Sequence, residues 1–239
     1  VSNTWSQTTV GITHGECTHA AVGNGRNDDR NRLYASRGTG LYEYTWNGTG
    51  WDEVAIGNVT AGIAHGIFIG SGRNDGLNNL YIASSASGTY EARFAGGVWT
   101  FTNMGDTGDI VNVYVGNGRN DTTPVNRVYA SVRTAGQVRE FTWNGSSWTT
   151  TLTNPTPNNE WLIHQDVVNG RGDGVMRVYS SGDNGNLFEF TWNGTGWTTN
   201  ILAGGTGYMY GFYAGNGRND GKTRLYGASF NQQVYEYTW

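Results

Sequence analysis

Apolar and polar residues alternate with a period of two in short runs along the whole chain, most plainly at Tyr42-Glu43-Tyr44, Phe188-Glu189-Phe190 and Tyr235-Glu236-Tyr237. Such alternation sends neighbouring side chains to opposite faces of a β-strand. The runs keep step with a loop motif, Gly-Arg-Asn-Asp, at Arg26, Arg73, Arg119 and Arg218, and a Gly-Arg-Gly-Asp variant places Arg171. Behind each loop stand a polar residue, an aliphatic and a tyrosine: Arg32-Leu33-Tyr34, Asn79-Leu80-Tyr81, Arg127-Val128-Tyr129, Arg177-Val178-Tyr179 and Arg224-Leu225-Tyr226. A unit of about 47 residues thus occurs five times. Periods of this size mark repeat architectures.

Each unit predicts four short antiparallel strands, in the first copy over 19–23, 32–37, 41–46 and 51–56. Asn47-Gly48 between two Trp-bearing strands, repeated at Asn144-Gly145 and Asn193-Gly194, reads as a type I′ hairpin turn. Four strands per repeat without a helical period predict an all-β fold, a five-bladed β-propeller forming a single domain over 1–239. In the last hairpin of each unit two aromatics stand five apart: Trp46 and Trp51, Phe94 and Trp99, Trp143 and Trp148, Trp192 and Trp197. Trp239 begins a fifth such pair and Trp5 is its missing mate, so residues 1–10 are expected to complete the last blade and close the ring. Closure of this kind removes two sheet edges.

The repeat separates scaffold from specificity. Ten of the 19 acidic residues recur in every unit (Asp28, Asp75, Asp121, Asp173, Asp220 and Glu43, Glu91, Glu140, Glu189, Glu236), as do the five loop arginines, with Arg32, Arg127, Arg177 and Arg224 in four units. Matched sets of opposite sign predict Arg–carboxylate pairs within each blade; five equivalent ligand sites on those carboxylates are the rival reading. Nine of the ten Trp are periodic and read as packing between blades.

Composition narrows the chemistry. A net charge of −4 and 14% charged residues argue against a nucleic-acid partner, and no apolar run is long enough for a membrane span. Cys17 is the sole cysteine, which rules out an intramolecular disulfide and a Cys-rich metal site. A chain starting at Val1 and rich in Asn, Thr and Ser is expected to be a processed or excised segment of a secreted or cell-surface protein. Asn47, Asn58, Asn120, Asn144 and Asn193 open Asn-x-Ser/Thr sequons, three of them inside the hairpin turns.

The non-periodic residues are the candidates for binding. Trp161 has no counterpart and lies in the one expanded connection, from Asn154 to Trp161, beside Asn159 and Glu160. A Trp among polar groups suits stacking on a sugar ring, and equally an anchor packed on the neighbouring blade. Asp109, Tyr208 and Tyr210 occupy equivalent connections, and His19, Asn112 and His164 fall at one position of the innermost strand. His14, Glu16, His65, Asp106 and Asp166 lie in the same zone, where a His-based metal site is conceivable but matches no established spacing. Glu16, Asp109 and Glu160 are the only carboxylates that suggest a glycosidase pair. No nucleophile turn is present, and the Gly-rich loops precede no helix that would cradle a phosphate. No cofactor, metal ligand or catalytic residue is therefore expected.

The loop Asn216-Gly217-Arg218-Asn219-Asp220-Gly221-Lys222-Thr223-Arg224-Leu225-Tyr226 resembles the FG-GAP/VCBS class of propeller repeat, whose Asp/Asn-rich loop commonly binds calcium. The third and ninth loop positions here are Arg218 and Arg224, and likewise Arg26 and Arg32, Arg119 and (displaced by one) Arg127, Arg171 and Arg177. The resemblance then implies a guanidinium in place of the cation, and folding without calcium. In architecture the chain is similar to the tachylectin-2-like lectins, a resemblance that implies amino-sugar sites between blades. A non-catalytic, lectin-like glycan-binding module is the expected function, with a protein-interaction or structural propeller as the alternative and a polysaccharide-active enzyme behind both.

Overall fold

In the computed structural model, residues 5–11, 16–204 and 207–239 are described. They form five antiparallel sheets and, apart from two short 3-10 turns, no helix. The first sheet holds β1 (Cys17–Gly23), β2 (Arg32–Arg37), β3 (Gly40–Trp46) and β4 (Trp51–Asn58); the second holds β5 (Ala64–Gly70), β6 (Asn79–Ser84), β7 (Gly88–Ala95) and β8 (Val98–Asn103). The third comprises β9 (Ile110–Gly116), β10 (Arg127–Val132), β11 (Gln137–Trp143) and β12 (Trp148–Leu152). The fourth has β13 (Leu162–Val168), β14 (Arg177–Gly182), β15 (Leu187–Trp192) and β16 (Trp197–Ala203). The fifth has three strands, β17 (Met209–Gly215), β18 (Arg224–Ser229) and β19 (Val234–Tyr237). Strands pair in chain order within every sheet. The first strands of successive sheets contact one another, β1 with β5, β5 with β9, β9 with β13 and β13 with β17. This is a propeller-like succession of five blades. None of the described helical turns is long and apolar enough to cross a membrane.

The core lies between blades rather than within them. Tyr34 and Leu41 of the first blade pack with Leu80, Ile82 and Tyr90 of the second, and Tyr129 and Val138 of the third with Val178, Phe188 and Trp197 of the fourth. The glycine before each loop arginine is fixed by this packing: a Cβ on Gly25, Gly72, Gly118, Gly170 or Gly217 would lie 2.6–2.8 Å from atoms of the tyrosine ring or hydroxyl in its own blade.

The periodic charges form the pairs their signs predict. Arg26, Arg73, Arg119, Arg171 and Arg218 bind Glu43, Glu91, Glu140, Glu189 and Glu236 on the third strands. Arg32, Arg127, Arg177 and Arg224 bind the loop aspartates Asp28, Asp121, Asp173 and Asp220. The second blade, with Asn79 in place of Arg, rewires both ends: Asn79 Nδ2 donates to Glu91 at 3.0 Å, and Asp75 pairs with Arg93 at 3.0 Å. Each of the first four loop guanidiniums also stacks on an aromatic of the next blade, Arg26 over Phe94, Arg73 over Trp143, Arg119 over Trp192 and Arg171 over Trp239. One side chain thus ties its own blade by charge and the next by cation–π contact.

The loop asparagine adds a second tie. Asn27 and Asn74 accept from the backbone amides of Asn78 and Asn126 at 2.7 Å, and both adopt positive φ. In the Gly-Arg-Gly-Asp variant Gly172 takes the same backbone conformation, φ +70°, which explains the exchange. It removes the side chain that makes this tie elsewhere.

Two expectations meet a different structure. The Asn-Gly hairpins are four-residue loops, with Trp46 paired directly to Trp51 and only Gly48 at positive φ. Asn47 Oδ1 instead accepts from the amides of Thr49 and Gly50, so the side chain closes the turn. Of the residues expected to complete the last blade, 1–4 lie outside the described residues, 5–10 lie in no strand, Trp5 is fully exposed, and no ring closure is observed among the described residues.

Candidate functional site

The connection from each blade to the next innermost strand meets the turn between the second and third strands of the blade it enters. A single backbone hydrogen bond repeats at this junction in all five blades: Gly38 N to Glu16 O, Ser85 N to Ile63 O, Arg133 N to Asp109 O, Asp183 N to Trp161 O, and Phe230 N to Tyr208 O. The backbone is thus periodic while the side chains are not. Glu16/Gly38, Ile63/Ser85, Asp109/Arg133, Trp161/Asp183 and Tyr208/Phe230 occupy five equivalent places on one face. Three of the sequence candidates, Asp109, Trp161 and Tyr208, are therefore structural equivalents. Their partners Arg133, Asp183 and Phe230 were missed, because their equivalence is set by cross-strand pairing.

The chemistry gathers on the last three blades. Arg133 pairs with Asp109 at 3.3 Å, leaving Asp109 Oδ1 and Arg133 Nε buried without a hydrogen-bond partner among the described residues. Arg133 and Asp183 both act on the Tyr208 phenol, whose pKa is raised first by burial. Tyr208 packs on Tyr210 with ring centres 4.8 Å apart, and Tyr210 on Phe230 at 6.1 Å. Trp161, Tyr210 and Phe230 are 45%, 60% and 69% exposed. Tyr208, Tyr210 and Phe230 thus form one aromatic group, and Trp161 stands at the equivalent junction of the preceding blade.

Glu160 and Asn159, which precede Trp161 in the chain, are held by their own contacts. Glu160 is buried and its carboxylate accepts from Asn184 N at 2.9 Å, Asn186 N at 3.4 Å and the Asn186 side chain. Asn159, at φ +50°, ends a 3-10 turn over Pro157–Asn159 that packs on Gly136 of the third blade. Asp183 Oδ1 accepts from Trp161 N at 3.2 Å.

His19, Asn112 and His164 share one position on β1, β9 and β13, and glycines, Gly66 and Gly211, stand there on β5 and β17. Asn112 Nδ2 and His164 Nδ1 are 3.4 Å apart, and His164 lies edge-on to Phe212. Burial, followed by the charge of His19, pushes the His164 pKa down to about 4. Burial also lowers His19 and His65. These imidazoles stay neutral at pH 7. Among the described residues no cluster of three or more His, Cys, Asp or Glu could hold a metal; His14 lies outside them. The suggested acid pair is not assembled by shared contacts, since Asp109 is bound to Arg133 and Glu160 to the Asn184–Asn186 turn.

No family model matches this chain, and no curated protein matches it in sequence. Solved structures do. The chain is similar, at 11% identity and a TM-score of 0.56, to an Agrocybe aegerita lectin described as specifically recognising non-reducing terminal N-acetylglucosamine, over 87% of this chain and 60% of that one. It is also similar to AofleA from Arthrobotrys oligospora, in a triple arginine-to-alanine variant, at 17% identity and a TM-score of 0.55, over 92% of this chain and 68% of that one. The chain thus spans 60% of the length of the Agrocybe protein. At these identities the likeness concerns the fold.

Proposed function

We propose that this chain is a non-catalytic glycan-binding module of an exported protein, binding through the connection face of the third to fifth blades. One observation carries the reading. Five backbone-equivalent junctions bear five different side-chain pairs, and the aromatic and charged ones are adjacent, whereas the scaffold contacts repeat. Trp161 and the Tyr208/Tyr210/Phe230 group supply planar apolar faces for a pyranose ring. Asp109 and Arg133 offer an acceptor and a donor for its hydroxyls, and buried Glu160 with Asn159 holds Trp161 in place. His19, Asn112 and His164 line the floor of this face. The fold's likeness to an N-acetylglucosamine-recognising lectin makes terminal amino sugars the first ligands to test. In the loops the guanidinium–aspartate pairs take the role that calcium has in FG-GAP/VCBS-like repeats.

A glycan array rich in terminal N-acetylglucosamine, read for the parent, Trp161→Ala and Tyr210→Ala, tests the proposal. Loss of about tenfold or more in affinity, equivalent to about 1.4 kcal/mol, is expected in at least the Trp161 variant. Unchanged binding in both would move the site to the grooves between blades. Absence of binding by the parent would favour a protein-interaction scaffold.

A further inference from the structure

Two of the five junctions carry an aromatic residue in the incoming connection, Trp161 in the fourth blade and Tyr208 in the fifth. A carboxylate stands with them. Asp183 N donates to Trp161 O at 3.0 Å, and Asp183 Oδ1 accepts from Trp161 N at 3.2 Å. This reciprocal pair holds the carboxylate against the backbone of the residue that bears the indole. The Tyr208 phenol, raised in pKa first by burial, is acted on by both Arg133 and Asp183, so the Asp183 charge also lies near the fifth-blade aromatics. There Tyr208 packs on Tyr210 with ring centres 4.8 Å apart, and Tyr210 on Phe230 at 6.1 Å.

The charges decide what such a place can hold. Arg133 is already paired with Asp109 at 3.3 Å, and its Nε is buried. Glu160 is turned onto the Asn184–Asn186 segment, and Glu16 stands opposite Gly38, at a junction without an aromatic. Asp183 forms no ion pair among the described residues, its side chain accepts only from Trp161 N, and it is partly exposed. The uncompensated charge beside the aromatics is therefore negative. Aromatic faces are negative as well and attract cations. An anionic group would be repelled by both, and a cationic group is drawn to both. A hydrogen bond from an ammonium to a carboxylate is charge-assisted, and stronger than one from a neutral amide.

We propose that this site sorts amino sugars by charge, taking glucosamine with its free, protonated amine in preference to the neutral N-acetylated form. Asp183 receives the ammonium, Trp161 is the platform for the ring, and the Tyr208/Tyr210 pair presents further π-faces to the same charge. The inference rests on the glycan reading above and names the substrate class of that site, de-N-acetylated cationic oligosaccharides. It also makes Asp183, rather than the paired Asp109, the specificity-determining carboxylate.

The test is isothermal titration calorimetry with β-linked oligomers of glucosamine and of N-acetylglucosamine of equal length, on the parent and on Asp183→Asn. The asparagine keeps an oxygen to accept from Trp161 N, and an unchanged Tm checks that the junction stays folded. The parent should bind the glucosamine oligomer about tenfold more tightly than the acetylated one. The preference should shrink as salt is raised and vanish in Asp183→Asn. Equal affinities, a preference for the acetylated oligomer, or a preference that survives Asp183→Asn would overturn the inference and leave the glycan reading standing. Oligolysine of the same charge, bound as tightly as the glucosamine oligomer, would reduce the site to a plain cation surface and overturn it too. Binding of neither oligosaccharide by the parent would remove the amino-sugar reading and this inference with it.

Discussion

Among the described residues Glu91 accepts the most side-chain hydrogen bonds of any carboxylate, and its replacement by Gln isolates the charge from the shape. It is 1% exposed and accepts from Arg73 Nε at 2.8 Å and from the terminal Arg73 nitrogen, from Asn79 Nδ2 at 3.0 Å, from the Tyr81 hydroxyl at 3.2 Å and from Trp148 Nε1 at 3.4 Å. Arg73 is itself held over Trp143, 3.8 Å from the ring centre, and cannot swing to water without leaving that contact. Glu91→Gln therefore leaves a largely buried guanidinium without its counter-charge, and turns one accepting oxygen into a donor that faces other donors. Breaking a buried pair from one side costs about 3–5 kcal/mol, or a fall in Tm of roughly 6–20 °C for a chain of this size. Asp75→Asn in the same blade is the control. Its pair with Arg93 is 3.0 Å long and 34% and 32% exposed. Solvent screening limits such a pair to about 0–1 kcal/mol. Calorimetry of the two variants and the parent is the assay. Equal shifts, or a larger one for Asp75→Asn, would refute the argument that burial rather than pairing decides the contribution.

The low pKa of His164 makes a pH prediction. The folded state resists protonation that the unfolded state accepts near pH 6.5, so stability is complete above that value and declines as pH falls toward about 4. Urea unfolding across this window should show a steeper decline in the parent than in His164→Asn. Calcium and EDTA should leave Tm the same, because Arg32, Arg177 and Arg224 already bind both oxygens of Asp28, Asp173 and Asp220; protection by calcium would overturn this. Asn27→Ala breaks the tie to the next loop and should lower Tm by a few degrees, the effect of about 1 kcal/mol for a lost hydrogen bond, while Gly172→Asn should raise it by restoring that tie.

Local order was legible in the sequence because it rests on short-range rules. Alternation, the recurring Gly-Arg-Asn-Asp loop and the aromatic pairs five apart identified five repeats and nearly every strand. The hairpin conformation was not so accessible. Asn-Gly is compatible with a two-residue turn, and the direct pairing of Trp46 with Trp51 made it a four-residue loop. Spacing also placed Asp109, Trp161 and Tyr208 in equivalent connections. Their partners Arg133, Asp183 and Phe230 are brought in by cross-strand hydrogen bonds, which no linear spacing encodes. Glu160 shows the limit most clearly. In the sequence it is a polar residue beside a unique Trp, and only tertiary packing turned its carboxylate inward onto the Asn184–Asn186 turn. Periodicity determines which residues are alike in this protein; burial and pairing across blades decide what each of them does.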